Sequence, residues 1–306
     1  MNGEFKDGKD FPIFLDNNDP LGHFRRRFYT KKDTIYVCGN SLGLASIDAE
    51  EAMLNVIEKW KNEGIKIWNV DDNKYLLYSA YLAKLMAVII GANPDEIAIS
   101  DSTTVNIHQG VSTFYKPTSD KYKILVDDKN FPTDRYAIDS QVRRHFHMLP
   151  GLAGWFGNKS ETQEDANGWL IGTPHVLSMA GLEGSLKLLN EAGMKNIRSK
   201  SLHITAYLMF LIDSKLTEHG FTIGNPREDE KRGGHVCLEH DEGYRISIAL
   251  KARGVVPDFR DPNVIRIAPI ALYTSYEEVY RLVEILLDIV TNETYKEISQ
   301  KRDLVV

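Results

Sequence analysis

The stretch that decides the fold is Lys123-Ile124-Leu125-Val126-Asp127-Asp128-Lys129-Asn130-Phe131-Pro132-Thr133-Asp134-Arg135-Tyr136. An apolar run of strand type passes into a loop that carries an aromatic ring, a rigid proline, a hydroxyl and a carboxylate. Loops at the carboxyl ends of strands are where α/β folds bind ligands. This set of side chains suits a flat, charged, phosphorylated cofactor. Just downstream, at Phe146-His147, the chain passes into the glycine-rich run Leu149-Pro150-Gly151-Leu152-Ala153-Gly154-Trp155-Phe156-Gly157.

Outward from this stretch, the first half alternates helices with short apolar runs. Residues 34–38 read as a strand, and Gly39-Asn40-Ser41-Leu42-Gly43 as the turn that follows it. Residues 46–63 read as a helix capped by Ser46 and stopped by Gly64. Further helices are expected over 75–90, 105–115 and 136–144, with strands at 96–100 and 122–126. That alternation predicts a parallel α/β layer. In the second half, helices are expected over 181–192, 197–219 and 275–291. Strands are expected at 221–223, 235–238, 244–248 and 264–268, which predicts an antiparallel α+β layer.

The 306 residues suffice for one large domain or two smaller ones. Hydrophobic content of 42% and charged content of 26% are those of a soluble globular protein. A net charge of −6 and a pI near 5.9 argue against nucleic acid, which calls for a concentrated basic surface. Arg25-Arg26-Arg27 and Arg143-Arg144 are too short to supply one. Cys38 and Cys237 make no disulfide framework and suit a reducing compartment. No run reaches the ~18 apolar residues of a membrane span, and residues 1–12 are not of signal-peptide type. A cytoplasmic protein is expected.

Several residues invite a chemical reading beside a plain one. Ser100-Asp101-Ser102-Thr103-Thr104 opens a helix, where free N–H groups and hydroxyls either bind phosphate or merely cap. Phe131 either stacks on a heteroaromatic ring or fills a core. Asp134 either serves a ligand or caps a helix, and Trp155 either serves a site or packs. Arg266, inside an apolar strand, needs an acidic partner. An internal carboxylate is the default and a substrate carboxylate the alternative. His108 and His147 lack partners at metal-site spacing. No catalytic triad, Walker loop or dinucleotide fingerprint occurs.

Taken together, the motifs resemble kynureninase, a family of pyridoxal-phosphate enzymes. The matching runs include Tyr36-Val37-Cys38-Gly39-Asn40-Ser41-Leu42-Gly43-Leu44, Thr103-Thr104-Val105-Asn106-Ile107-His108 and Asn130-Phe131-Pro132-Thr133-Asp134. They continue with Gly154-Trp155-Phe156-Gly157, Gly172-Thr173-Pro174 and Ile265-Arg266-Ile267-Ala268-Pro269. The resemblance implies the aspartate-aminotransferase fold: an N-terminal arm (1–45), a partial cofactor-binding large domain (46–146), and a loop region with a small α+β domain (147–306). It implies hydrolysis of L-kynurenine or 3-hydroxykynurenine to anthranilate or 3-hydroxyanthranilate and L-alanine, in tryptophan catabolism and NAD biosynthesis. Thr103 and Thr104 would hold the cofactor phosphate. Phe131 would stack on the pyridine ring, Pro132 and Thr133 would also contact the cofactor, and Asp134 would lie near its ring. Trp155 and Thr173 would reach the phosphate from a neighbouring subunit, implying a homodimer. Arg266 would hold the substrate α-carboxylate.

One departure limits this. Between Arg144 and Trp155 the family carries several strand–helix units, so roughly a hundred residues are missing at about Phe146–His147. The missing stretch holds the Schiff-base lysine and the aspartate that pairs with the pyridinium nitrogen. No catalytic residue is therefore assigned, and the chain is expected to be inactive. Three origins are open: a segment lost through a gene-model or splicing artefact, a natural non-catalytic remnant that binds a partner, or an enzyme rebuilt around Lys129 or Lys159.

Overall fold

The computed structural model describes residues 5–127, 131–147, 165–170 and 173–299. In chain order the elements are α1 (Asp10–Asn17), β1 (Ile35–Tyr36), α2 (Ile47–Glu63), α3 (Tyr78–Ile90), α4 (Thr103–Phe114) and α5 (Pro132–His147). Then come α6 (Val176–Ala192), α7 (Met194–Lys215), β2 (Thr222–Ile223), β3 (Val236–Glu239), α8 (Gly243–Ala252), β4 (Val255–Val256), β5 (Asp258–Arg260), β6 (Val264–Ile267) and α9 (Tyr276–Thr291). They form two compact units, one of Met1–Ala52 with Lys187–Val306 and one of Met53–Leu186. The N-terminal arm groups with the C-terminal half. No helix among the described residues is long and apolar enough to cross a membrane.

In the first unit an antiparallel sheet runs β2-β3-β6-β5. Its register pairs Cys237 with Arg266 and Asp258 with Arg266, so these three side chains form one row across the sheet. Along β3 and β6 the apolar residues Val236, Leu238, Ile265 and Ile267 are fully buried, while Cys237 and Arg266 between them are only partly covered. The buried set packs in one cluster with Leu208, Leu211 and Ile212 of α7 and Val279, Leu282, Val283 and Leu286 of α9. Burying each such side chain contributes about 1.5–3 kcal/mol. β1 runs parallel to β4 and continues past it, where the Ala268 amide donates to Val37 O at 2.8 Å.

The start of α9 is secured three times. Ser275 Oγ accepts from the Glu278 amide at 3.1 Å, and Glu278 Oε2 accepts from the Ser275 amide at 3.0 Å, a capping box. Asp16 of the arm accepts from the Tyr276 and Glu277 amides at 2.8 and 2.9 Å. Arg25 grips both Glu278 oxygens at 2.6 Å.

Three expected strands are not formed. Residues 244–248 are not a strand but the first half of α8. Tyr-Arg-Ile-Ser-Ile mimics period-2 alternation, yet Ile246, Ala249 and Leu250 follow the helical spacing and are buried. Gly243 lets this helix close on the β5–β6 connection, since a Cβ there would lie 2.6 Å from Asn263 O. Residues 96–100 and 122–126 form no strand either. A strand exists only against a neighbour, and neither run has one among the described residues. Residues near 99 instead lie on α3, where Ser79 Oγ donates to Ile99 O at 2.9 Å and accepts from its amide at 3.0 Å.

The second unit has its own core of Val56, Ile67, Tyr75, Tyr78, Leu82, Met179, Ala180 and Leu186. Glu183 enters it with its charge matched: Lys74 Nζ lies at 2.8 Å and the Tyr78 hydroxyl donates at 2.7 Å.

Ser275→Ala is expected to lower the unfolding free energy by about 1 kcal/mol, read by urea denaturation. Burial raises the Asp16 carboxyl above the usual aspartate value, more than the Glu277 and Tyr276 amides lower it. The folded chain therefore holds this proton more tightly than the unfolded chain. The resulting stability is full below the ordinary value, about 4, and is lost as pH rises through the raised one. The stability difference between the wild type and Asp16→Asn should shrink in that direction; a pH-independent difference would count against the buried carboxyl.

Candidate cofactor and substrate site

In the second unit the candidate phosphate site is the start of α4. Ser102 is the cap, its hydroxyl accepting from the Val105 amide at 3.4 Å. Thr103 and Thr104 therefore stand in the first turn with hydroxyls not spent on capping, Thr103 exposed and Thr104 half-buried. A cavity of about 290 Å³ opens beside Ser100 and Asp101, and Thr173 and His175 line it from the same chain. His175 Nε2 approaches Asp101 Oδ1 at 3.6 Å. Thr173 thus lies near the α4 start of its own chain, a placement its spacing in sequence gave no means to foresee.

Phe131, Pro132, Thr133 and Asp134 form the entry to α5. Pro132 occupies the first helical position, where a missing N–H costs nothing. The Asp134 amide donates to Phe131 O at 3.0 Å. The Phe131 ring is 59% exposed, so it fills no core. The middles of α4 and α5 are joined through Gln141, which meets Ser112 Oγ at 3.1 Å and His108 Nδ1 at 2.7 Å. His108 is absorbed in this contact, and no metal-binding cluster occurs among the described residues. Trp155 lies outside the described residues.

In the first unit Arg266 has its internal carboxylate. Asp258 Oδ2 accepts from Arg266 Nε at 2.7 Å and also from Nη2. Arg260 Nε lies 3.4 Å from the same oxygen, so one carboxylate faces two guanidinium groups. With its amide turned to satisfy both sides, Asn40 accepts from Arg266 Nη2 and Nε at 3.3 and 3.2 Å. Among the described residues no group pairs with Arg266 Nη1. The Arg266 side chain is 22% exposed and that of Asp258 10%. Burial lowers the His235 pKa, and the Arg266 charge lowers it further. Burial raises both thiols, Cys38 and Cys237, against the opposing pull of Arg266. Asp258, Asn40 and His235 carried no signal of their own, because their relation to Arg266 depends on strand register.

Removing Asp258 leaves a half-buried guanidinium short of its counter-charge. Asp258→Ala is expected to cost about 1.5–3 kcal/mol of stability, with Asp258→Asn intermediate, by denaturant titration. Equal stability of Asp258→Ala and the wild type would mean that the pair contributes nothing.

Comparison with known proteins gives these halves a common context. The model of the kynureninase C-terminal domain matches residues 197–286. The kynureninase of Bacillus cereus is 36% identical over 422 residues, covering 98% of this chain and 99% of that protein. That of Geobacillus thermodenitrificans is 35% identical over 417 residues, covering 97% of each. Set against the 306 residues here, the 422 aligned positions leave at least 116 with no residue of this chain. The structure resembles the cysteine desulfurase of Thermococcus onnurineus NA1, with a TM-score of 0.61 at 13% identity over 88% of this chain and 98% of that one. It also resembles a C-DES variant with glycine covalently linked to its PLP cofactor, with a TM-score of 0.65 at 14% identity over 86% and 99%. These two likenesses speak for the fold alone, which is of the aspartate-aminotransferase type. The chain belongs to the kynureninase family.

Proposed function

We propose that this chain descends from a homodimeric cytoplasmic enzyme that hydrolyses L-kynurenine or 3-hydroxykynurenine to anthranilate or 3-hydroxyanthranilate and L-alanine. It keeps groups for the cofactor phosphate and the substrate carboxylate but lacks the lysine that carries pyridoxal phosphate, and it turns over no substrate as it stands. The observation that carries the substrate side is Arg266, held on one edge by Asp258 with Nη1 unmatched among the described residues. A guanidinium so fixed offers a carboxylate donors that need no reordering.

The residues present fit part of the cofactor. The α4 start has free amides and the Thr103 and Thr104 hydroxyls for a phosphate. Phe131 has an exposed ring for a pyridine. When bound, pyridoxal phosphate supplies an electron sink for bonds at the substrate Cα. Arg266 would orient the substrate by its carboxylate, and Asp258 would keep Arg266 from swinging away. No residue of this chain is assigned the movement of the Cα proton, the task of the absent lysine.

The test compares the chain with a version carrying the intervening residues of the Bacillus cereus relative between Phe146 and His147. Mixed with pyridoxal phosphate and reduced with borohydride, the natural chain should show no lysine adduct by mass spectrometry. It should release no anthranilate by fluorescence. The grafted chain should do both, and Arg266→Ala in it should lower kcat/KM roughly 10–100-fold. Turnover by the natural chain overturns the reading.

A further inference from the structure

We propose that His235 is a second contact for the carboxylate at Arg266, so that the anion sits between a fixed guanidinium and an imidazole. This deepens the reading of Arg266 given above and rests on it. His235 comes directly before β3, whose buried residues are Val236 and Leu238. Period-2 alternation therefore turns His235 to the other face of the sheet, with Cys237 and Arg266. The register sets Cys237 across from Arg266, which makes His235, two residues along, the diagonal neighbour of Arg266. Diagonal neighbours lie about 7–8 Å apart, within reach of long and aromatic side chains. The His235 ring is half-buried, and it makes no hydrogen bond or ion pair with a described residue.

The donor set identifies the ligand. Arg266 spends Nε and Nη2 on Asp258 and leaves Nη1 over. Neither a guanidinium nor a protonated imidazole has an acceptor to offer the other, so the two cannot satisfy each other. A carboxylate brings two acceptor oxygens in one group, one for each. On this face of the sheet stand Arg266 of β6, Asp258 and Arg260 of β5, Cys237 and Glu239 of β3, and Cys38 beyond β1. Burial and then the Arg266 charge lower the His235 pKa, and Asp258 opposes them. An arriving carboxylate cancels the Arg266 charge, so the imidazole takes up a proton as the anion binds. By linkage, the anion then binds more tightly as pH falls through the range of the imidazole.

The test titrates the natural chain, without cofactor, with L-kynurenine between about pH 5 and 8. The ring C–H signals of His235, assigned by their loss in His235→Gln, are followed by NMR. L-Kynurenine should raise the His235 titration midpoint by about one pH unit and bind roughly tenfold more tightly at the acidic end. The α-carboxamide of kynurenine, which lacks the anion, should leave the midpoint in place. His235→Gln keeps a donor and should still bind L-kynurenine, with an affinity flat in pH. Arg266→Ala should not bind it. Binding that depends on Arg266 while the His235 midpoint stays still overturns the second contact and leaves the reading of Arg266 intact. A carboxamide that moves His235 as far as L-kynurenine does also overturns it. Absence of any binding that depends on Arg266 overturns both.

Discussion

Backbone pairing decides where this chain has sheet. Every N–H and C=O removed from water must find a partner, so a strand is a property of two segments rather than one. Residues 236–239 and 264–267 meet that condition together, and the helices α7, α8 and α9 share the core that results. Residues 122–126 have the composition of a strand but no neighbour among the described residues. Leu125 and Val126 are exposed, and the backbone groups of residues 123–126 find no partner among the described residues. The difference lies in what stands beside each segment, not in the segment itself.

The same pairing sets the electrostatics of Arg266. Register places Asp258 directly across from it, and burial makes that adjacency matter. A guanidinium at the surface could rely on water; this one relies on a carboxylate, on Asn40 and on being left partly open. Because Asp258 also faces Arg260 at 3.4 Å, the cluster of two guanidinium groups and one carboxylate keeps one positive charge in excess. An anionic ligand at the free Nη1 would cancel that excess. The internal ion pair and the substrate contact, which stood as alternatives in the sequence, are therefore compatible on different edges of one planar group.

What the sequence revealed follows from range. Ser275 before Tyr276-Glu277-Glu278 announces a capped helix, because a cap is settled within four residues, and α9 begins there. Ser275 said nothing of Asp16, which completes the same helix end from 260 residues away. Tyr244–Ile248 misled because five residues are too few to separate period 2 from period 3.6, and Ala249-Leu250 carried the deciding evidence of period. The family motifs pointed to Thr103, Phe131 and Arg266 as candidates from dispersed identities. The partners Asp258 and Asn40 had no such signature, since only the β5–β6 register and the path of the Gly39–Leu44 turn bring them to Arg266.

The two units meet the loss of at least 116 family positions differently. The unit with the antiparallel sheet is built from contacts among its own strands and helices, which bury Val236, Leu238, Ile265 and Ile267 of that sheet. The unit of residues 53–186 closes a core around Tyr75, Tyr78 and Leu82 and satisfies Glu183 within it. It also exposes Ile65, Val88, Phe114, Leu125, Phe131 and Tyr136. Isolated exposed apolar residues are ordinary, but several in one small unit, beside an unpaired strand-like run, reduce the free energy gained by folding it. The exposed apolar side chains of this unit thus share a cause with the missing strand at 122–126: among the described residues no neighbouring segment lies against either.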